Sequence, residues 1–334
     1  MENFLNKKFY DVTLRDGNHA LRHQLTLDFL EKYCRLARES SSYAVEVGHG
    51  NGLGASSYLI GKSRLTDEEM LKTARTHLGS KLLGVHAIPG FATVERDLKP
   101  AIDLGVDVVR VATHSTEASL AQTHLEFLAQ KNVIAHGVLM MSHMNSVEGL
   151  VQQARMMVDF GASAVILMDS AGFFRPSDVT ERIGALKQEI EVEVGFHAHN
   201  NFGLAIANAD SADKAGATLL DGAAMGLGAG SGNAQLEALV AVSASTDGGL
   251  ELDPFYDLSD LTATECSESL PKVTSTSLRS GIAGAFSGFA PHVLRLSDEL
   301  GIPAENLWNE IGRRRIVAGQ ESILREIALD LMNL

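Results

Sequence analysis

Short runs rich in Val, Ile, Leu, Phe and Ala alternate along the chain with longer stretches whose apolar residues recur at helical spacing. The short runs, at 9–14, 43–47, 82–88, 107–112, 133–139, 164–168, 193–196 and 218–223, read as eight strands. Between them, 27–38, 67–78, 94–104, 119–130, 147–160 and 176–188 read as amphipathic helices. Several of these close on a glycine just before the next strand, as at Gly105 and Gly161. A strand-then-helix unit repeated eight times predicts an α/β fold, a (β/α)8 TIM barrel of about 250 residues. A doubly wound sheet is the alternative, but it calls for fewer strands and a glycine-rich first turn, and here the first turn reads Arg15-Asp16-Gly17.

After position 223 the texture changes. A glycine-rich loop leads into a helix at about 233–245, and from about 250 onwards the pattern is helical without strand signals. Two units are therefore expected: a catalytic barrel over 1–250 and a helical C-terminal extension over 251–334. The last helix carries an apolar stripe of Ile323, Leu324, Ile327, Ala328 and Leu331, which packs on its own unit or offers a partner surface.

Composition narrows the classes. At 334 residues and 45% hydrophobic content the chain buries a sizeable core, and no apolar run is long enough to cross a membrane. The net charge of −14 argues against nucleic acid as a partner. The basic triplet Arg313-Arg314-Arg315 reads as a solvated helix face. Two widely separated cysteines, Cys34 and Cys266, make no disulfide framework, so a cytoplasmic setting is expected.

The chemistry concentrates at two strand ends. In a strand, residues i and i+2 share a face, so His197 and His199, closing the seventh strand, aim at one point. The first strand delivers Asp16, and in a closed barrel of eight only the eighth strand separates it from the seventh. Two histidines and one carboxylate form a ligand set with open positions for water and substrate. Mn, Mg, Co, Zn or Fe(II) would all accept such donors. The amidohydrolase arrangement places its paired histidines on the first strand and its aspartate on a late one, the reverse of the order here.

Arg15, next to the metal carboxylate, would set a cationic fork beside an enolate formed from a chelated 2-oxo acid. Its alternative is a plain ion pair to a barrel carboxylate such as Glu46. His19, outside the ligand set, is placed to act as general acid or base, or simply to pack in the loop. Ser170, after the sixth strand, would donate to a substrate carboxylate or cap a turn. His114 and His143 are read as rim imidazoles supporting the site rather than as ligands. The glycine-rich loops at 48–54 and 226–233 lack a Walker lysine and are read as places where backbone closes on a small ligand.

These residues carry a resemblance. DVTLRDG with HAHN resembles the barrel superfamily of 3-hydroxy-3-methylglutaryl-CoA lyase, isopropylmalate synthase and homocitrate synthase. Within it RDGNHALRHQ, RVATH, LMMSHM, GLGAGSGNAQLE and RRRIVAGQE are similar to the 4-hydroxy-2-oxovalerate aldolases, the class II pyruvate aldolases of catechol meta-cleavage. The acyl-CoA branches carry Gln where His19 stands here. The resemblance implies Asp16, His197 and His199 as ligands of a divalent metal, usually Mn2+ with Mg2+ or Co2+ possible, and Asn233 as a further candidate. It implies Arg15 as enolate stabiliser, His19 as catalytic acid/base, and Ser170 with Arg15, Asp16, His197 and Phe286 around the substrate. It also implies an acylating aldehyde dehydrogenase partner at the C-terminal helices, and an oligomer.

Two positions depart from the pattern: Phe286 stands where a tyrosine is usual, and His86 interrupts an aliphatic run. Both fall on the expected aldehyde pocket and leave the metal and enolate residues intact. The competing readings are a related enzyme that condenses a 2-oxo acid with an acyl-CoA or other carbonyl acceptor, and a barrel that only scaffolds a dehydrogenase.

Overall fold

A computed structural model describes residues 7–247 and 249–332. Its strands, β1 (Lys8–Asp11), β2 (Ala44–Glu46), β3 (Leu82–Ala87), β4 (Val108–His114), β5 (Ile134–Met140), β6 (Ala164–Asp169), β7 (Glu193–Ala198) and β8 (Leu219–Gly222), pair in sequence order and close β8 onto β1. Every pairing is parallel. This is the expected (β/α)8 barrel, and its closure rules out the doubly wound sheet.

A helical segment follows each strand: α1 (Leu27–Ala37), α2 (Asp67–Leu78), α3 (Lys99–Asp103), α4 (Gln122–Gln130), α5 (Val147–Asp159), α6 (Pro176–Glu189), α7 (Ala205–Lys214) and α8 (Leu236–Asp247). Thr26, Thr66 and Ser146 cap α1, α2 and α5 by accepting from a backbone amide three residues on. Alternating strand residues meet the inner helix faces in one continuous apolar core, where Leu83, Val109, Leu139, Leu167 and Phe196 are buried.

Three details differ from the sequence reading. β1 ends at Asp11 instead of running to 14, because the Asp11 carboxylate accepts from the Thr13 amide at 3.0 Å and its hydroxyl at 2.6 Å and turns the chain there. The stretch 94–104 is not one helix but a π turn, Val94–Leu98, running into α3, which has Pro100 in its first turn. α7 had no predicted counterpart, since its sequence AIANADSADK lacks a strong apolar stripe and hides only Ala205, Asn208, Ala209 and Ala212.

Beyond the barrel, α9 (Asp253–Glu265) lays Phe255 and Leu258 into the barrel's own core. The helices α10 (Ser275–Ala283), α11 (Ala290–Leu300), α12 (Ala304–Arg313) and α13 (Ile323–Met332) follow. The last three gather around Trp308 in a second, separate core with Phe289, Val293, Leu307, Ile311, Leu324 and Ile327. Of the final apolar stripe, Leu324, Ile327 and Ala328 are buried there and Ile323 and Leu331 pack against it. Asn201, just past β7, ties this unit to the barrel: its amide donates to the Ser277 carbonyl and the Ser280 hydroxyl and accepts from the Ser287 hydroxyl at 2.9 Å. Within the basic triplet, Arg313 and Arg314 pair with Glu310 as solvated side chains do. Arg315 differs, reaching the Met144 carbonyl of the barrel. Both cysteines are buried, free thiols, and among the described residues no helix is long and apolar enough to cross a membrane.

Candidate metal and substrate site

The turn that ends β1 runs into a single helical turn, Gly17–Ala20, and leaves Arg15 and Asp16 buried at the C-terminal mouth of the barrel. Asn18 fastens this turn by donating to the Gly48 carbonyl at 3.1 Å. β7 carries His197 to the same depth, and His199 follows in a backbone bridge to Asn233. One ligand atom from each of Asp16, His197 and His199 lies within 4.8 Å of the others. The sequence-predicted triad is thus brought together.

Whether a cation fits is decided by the atoms left over. His197 Nδ1 donates to Asp221 at 2.8 Å, which leaves Nε2 as a lone pair 4.0 Å from the Asp16 carboxylate. That Nε2, His199 Nδ1 and Asn233 Oδ1 are all buried without a hydrogen-bond partner. A lone pair facing a carboxylate with no donor between them is costly to bury, and a cation held by Asp16, His197 and His199 would resolve it. Asn233 also donates to Asp16 Oδ1 at 3.0 Å and to the Leu227 carbonyl at 2.9 Å. Gly228 lets the loop after β8 close here, since a Cβ would stand 2.2 Å from Asn233 Nδ2 and 2.8 Å from Asp16 Oδ1.

The field suits the same occupant. Burial alone would raise the Asp16 carboxyl, yet the Arg15 guanidinium and the imidazoles of His199, His197 and His19 hold it well below the usual range. Burial pushes His199 down to about 4, with Asp16 opposing, so its ring is neutral at physiological pH.

Behind the triad runs a circuit that sequence reasoning missed in part. Arg15 donates through Nε to Glu46 at 2.6 Å and through Nη1 to Asp16 at 2.5 Å, while its buried Nη2 has no partner. The ion pair with Glu46 therefore exists alongside a free donor. Arg110 donates to Asp221 at 2.7 Å, lies 3.8 Å from Glu46, and stacks 4.5 Å above the Tyr10 ring. Asp221 thereby receives both His197 and Arg110. The signal for Arg110 and Asp221 was a lone charge in the middle of an apolar strand.

The triad opens on a cavity of about 170 Å3. Arg15, Asp16, His19, His86, Ser170, His199 and Phe286 line it, whereas His197 stands behind the wall. His19 meets Phe286 edge-on with ring centroids 6.2 Å apart and His23 at 5.1 Å. A Cβ on Gly50 would stand 2.6 Å from the His19 ring, so a side chain at that position would collide with it. Burial keeps His19 below its ordinary value, partly countered by Asp16. Ser170 Oγ accepts from the Met141 amide at 3.0 Å, which leaves its hydroxyl proton free for a second partner. The two rim imidazoles part company. His114 lines the cavity, but His143 pairs with the Gly284 carbonyl at 3.0 Å and serves the junction with the C-terminal unit. That unit also supplies Val317 and Ala318 to the wall; both lie in the RRRIVAGQE segment that carries the resemblance, though nothing in the sequence placed them at the cavity.

A closed parallel barrel with a buried aspartate and two histidines grouped at its C-terminal mouth defines a barrel enzyme with a candidate metal site, and residues 6–266 match the family model described as HMGL-like. Residues 271–333 match a second model, the DmpG-like communication domain. The chain belongs to the 4-hydroxy-2-oxovalerate aldolase family, a family of carbon–carbon lyases. It is 50% identical to the 4-hydroxy-2-oxovalerate aldolase of Spirochaeta aurantia, over 96% of this chain and 95% of that one. It is 48% identical to the one from Serratia proteamaculans, over 96% and 97%. Among solved structures, the carboxyl transferase domain of Rhizobium etli pyruvate carboxylase with pyruvate and biocytin superposes with a TM-score of 0.83, covering 98% of this chain and 60% of that one. At 15% identity this is a likeness of fold alone.

Proposed function

We propose that this protein is a divalent-metal-dependent aldolase that cleaves or forms 4-hydroxy-2-oxo acids through a pyruvate enolate. 4-Hydroxy-2-oxovalerate, giving pyruvate and acetaldehyde, is the reference substrate, with related aldehydes as alternative acceptors. The observation that carries this reading is the buried cluster of Asp16, His197 and His199, one ligand atom of each within 4.8 Å of the others, with His197 Nε2 unpartnered and Arg15, which holds Asp16 through Nη1, keeping Nη2 as a free donor. Asp16, His197 and His199 would hold the ion, with Asn233 Oδ1 as a further donor; Mn2+ is the leading candidate, and Mg2+ or Co2+ would suit the same donors. When bound, the ion supplies Lewis-acid polarisation of the 2-oxo acid.

The chain's own groups do the rest. Arg15 and Arg110 stand against Asp16, Glu46 and Asp221, and counted as ionised these five leave one net negative charge. A divalent ion reverses that charge, and a monoanionic 2-oxo acid then balances it. In cleavage, His19 takes the proton from the C4 hydroxyl as the C3–C4 bond breaks. The bonding pair becomes the C2=C3 bond of the enolate and the carbonyl π pair moves onto the 2-oxo oxygen, to which Arg15 Nη2 donates. Return of the proton from His19 to C3 releases pyruvate. The neutral state that burial gives His19 is the one that can accept this proton. The free hydroxyl proton of Ser170 suits the substrate carboxylate, and Phe286 walls the aldehyde end.

We further take the barrel as the catalytic unit and the C-terminal helices as the unit that meets an acylating aldehyde dehydrogenase, with the boundary expected at 250 moved past α9, whose Phe255 and Leu258 lie in the barrel core. The communication-domain match over 271–333 and the separate core around Trp308 support this. An oligomer, a cytoplasmic setting and a place in aromatic catabolism belong to the same reading. The test is direct: purified protein with Mn2+ and 4-hydroxy-2-oxovalerate should release pyruvate, followed with lactate dehydrogenase, and EDTA should abolish it. No metal-dependent pyruvate from any 4-hydroxy-2-oxo acid would sink the reading.

A further inference from the structure

One polar group on the cavity wall has no task in the reaction proposed above. His86, near the end of β3, is 2% exposed and lines the cavity beside Arg15 and His19. Ile88, Ala112 and Met140 bring apolar surface to the same cavity, and Asp16, Thr113 and His199 bring polar groups. Its Nδ1 makes no hydrogen bond, and the nearest acceptor is Glu46 Oε1 at 3.8 Å, also without a partner. A buried polar atom left unpaired costs about 1–3 kcal/mol, and an aliphatic side chain would fill the same wall without that penalty. The ring is not needed for the ion, the enolate or the proton, which Asp16, Arg15 and His19 serve. The nitrogen turned away from Glu46, Nε2, is the polar edge this ring offers to what the cavity takes in.

The ring's chemistry narrows what that is. Burial, reinforced by Arg15 and Arg110, keeps His86 neutral. The facing Glu46 carboxylate favours the ring proton on Nδ1, so Nε2 carries the lone pair and accepts. An acceptor of this kind seeks a hydroxyl donor. We propose that the aldehyde used by this enzyme carries a hydroxyl group, as 2-hydroxyaldehydes do, and that His86 accepts a hydrogen bond from it. With glycolaldehyde, pyruvate C3 passes a proton to His19 and bonds to the aldehyde carbon. The aldehyde oxygen takes a proton from His19, giving a 4,5-dihydroxy-2-oxo acid. The second hydroxyl stays intact and serves only recognition. The inference rests on the aldolase reading and adds the acceptor class to it.

Glycolaldehyde and propanal differ by a hydroxyl in place of a methyl, so their ratio of kcat/KM on one protein isolates that contact. Any effect on the pyruvate half cancels. The unaltered enzyme should favour glycolaldehyde about tenfold or more, His86→Leu should lower the ratio by about tenfold, and His86→Gln should restore part of it. A ratio near one or below in the unaltered enzyme, or one that His86→Leu leaves in place, would overturn the proposal. Should the leucine variant fail to fold, the unaltered ratio and the glutamine variant still decide. Metal-dependent exchange of pyruvate C3 protons in D2O is measured alongside on the unaltered enzyme. Absence of exchange would refute the aldolase reading itself, whereas exchange without a hydroxyaldehyde preference would refute only this one.

Discussion

The barrel mouth and the C-terminal unit are built on opposite principles. At the mouth, Arg15, Asp16, Glu46, Arg110, His197 and Asp221 are all buried and contact one another in a chain of charge-assisted hydrogen bonds and ion pairs. In the C-terminal unit the buried cluster is Trp308, Phe289, Leu307, Ile311, Val293, Leu324 and Ile327, and its ion pairs, such as Arg313–Glu310 and Arg314–Asp330, lie at the surface. Buried charge is a poor source of net stability but holds groups in fixed positions. Apolar packing stabilises without fixing any polar atom. The first arrangement suits a site that must hold an ion, the second a unit that must keep its shape while offering its surface.

The largest effect should come from attacking the second principle. Trp308 is fully buried at the centre of the C-terminal core, and truncation of such a side chain costs about 3–5 kcal/mol. Trp308→Ala should therefore lower the thermal midpoint followed by circular dichroism, while metal-dependent pyruvate C3 exchange below that midpoint persists. A loss of exchange in a still-folded variant would mean that the two regions are not separable and that the Asn201 junction transmits more than attachment.

Attacking the first principle should give a smaller and different response. Asp221→Asn keeps the shape but replaces the carboxylate that receives His197 Nδ1 and Arg110 Nη2. Groups that orient a metal-binding histidine typically contribute 10–100-fold in affinity. The variant should bind Mn2+ about 10–100-fold more weakly by calorimetric titration, with the fold retained. Unchanged affinity would reduce the circuit to structural filling.

The same contrast explains what could be read from residues alone. Asp16, His197 and His199 were legible because strand alternation and barrel closure are local rules that place side chains without coordinates. Arg15 was legible as a cation beside Asp16, but its simultaneous hold on Glu46 and Asp16 depends on β1 ending at Asp11, three residues early. Arg110 and Asp221 lie 111 positions apart, and no local pattern says that a charge in one strand answers a charge in another. Val317 and Ala318 reach the cavity only through the docking of the C-terminal unit, a tertiary fact with no periodic trace. α7 went unread because its buried face is made of alanines and an asparagine.

Acid should separate the regions most gently. Burial pushes His49, His143 and His199 down to about 4, His136 to about 3 and His23 to about 2, and all five belong to the barrel. In the unfolded chain each titrates near 6.5, so between about 4 and 6.5 the unfolded state binds more protons than the folded one. Stability from these groups is then full above 6.5 and falls as pH drops through that window. Asp169 opposes them. Burial, against the amides of Phe173 and Phe174, raises it to about 6 from 3.8, so its contribution is full below 3.8 and fades as pH rises through 6. Buried Asp11 and Glu237, also raised, act in the same sense, but five imidazoles with wide shifts outweigh them. In EDTA the barrel's melting midpoint should fall steadily from pH 6.5 to 4. Trp308 is the chain's single tryptophan, so its fluorescence reports the C-terminal unit, where His292 is only half-buried, and that transition should move less. Equal movement of both signals would show that the two cores melt as one and that their opposite construction does not reach their stability.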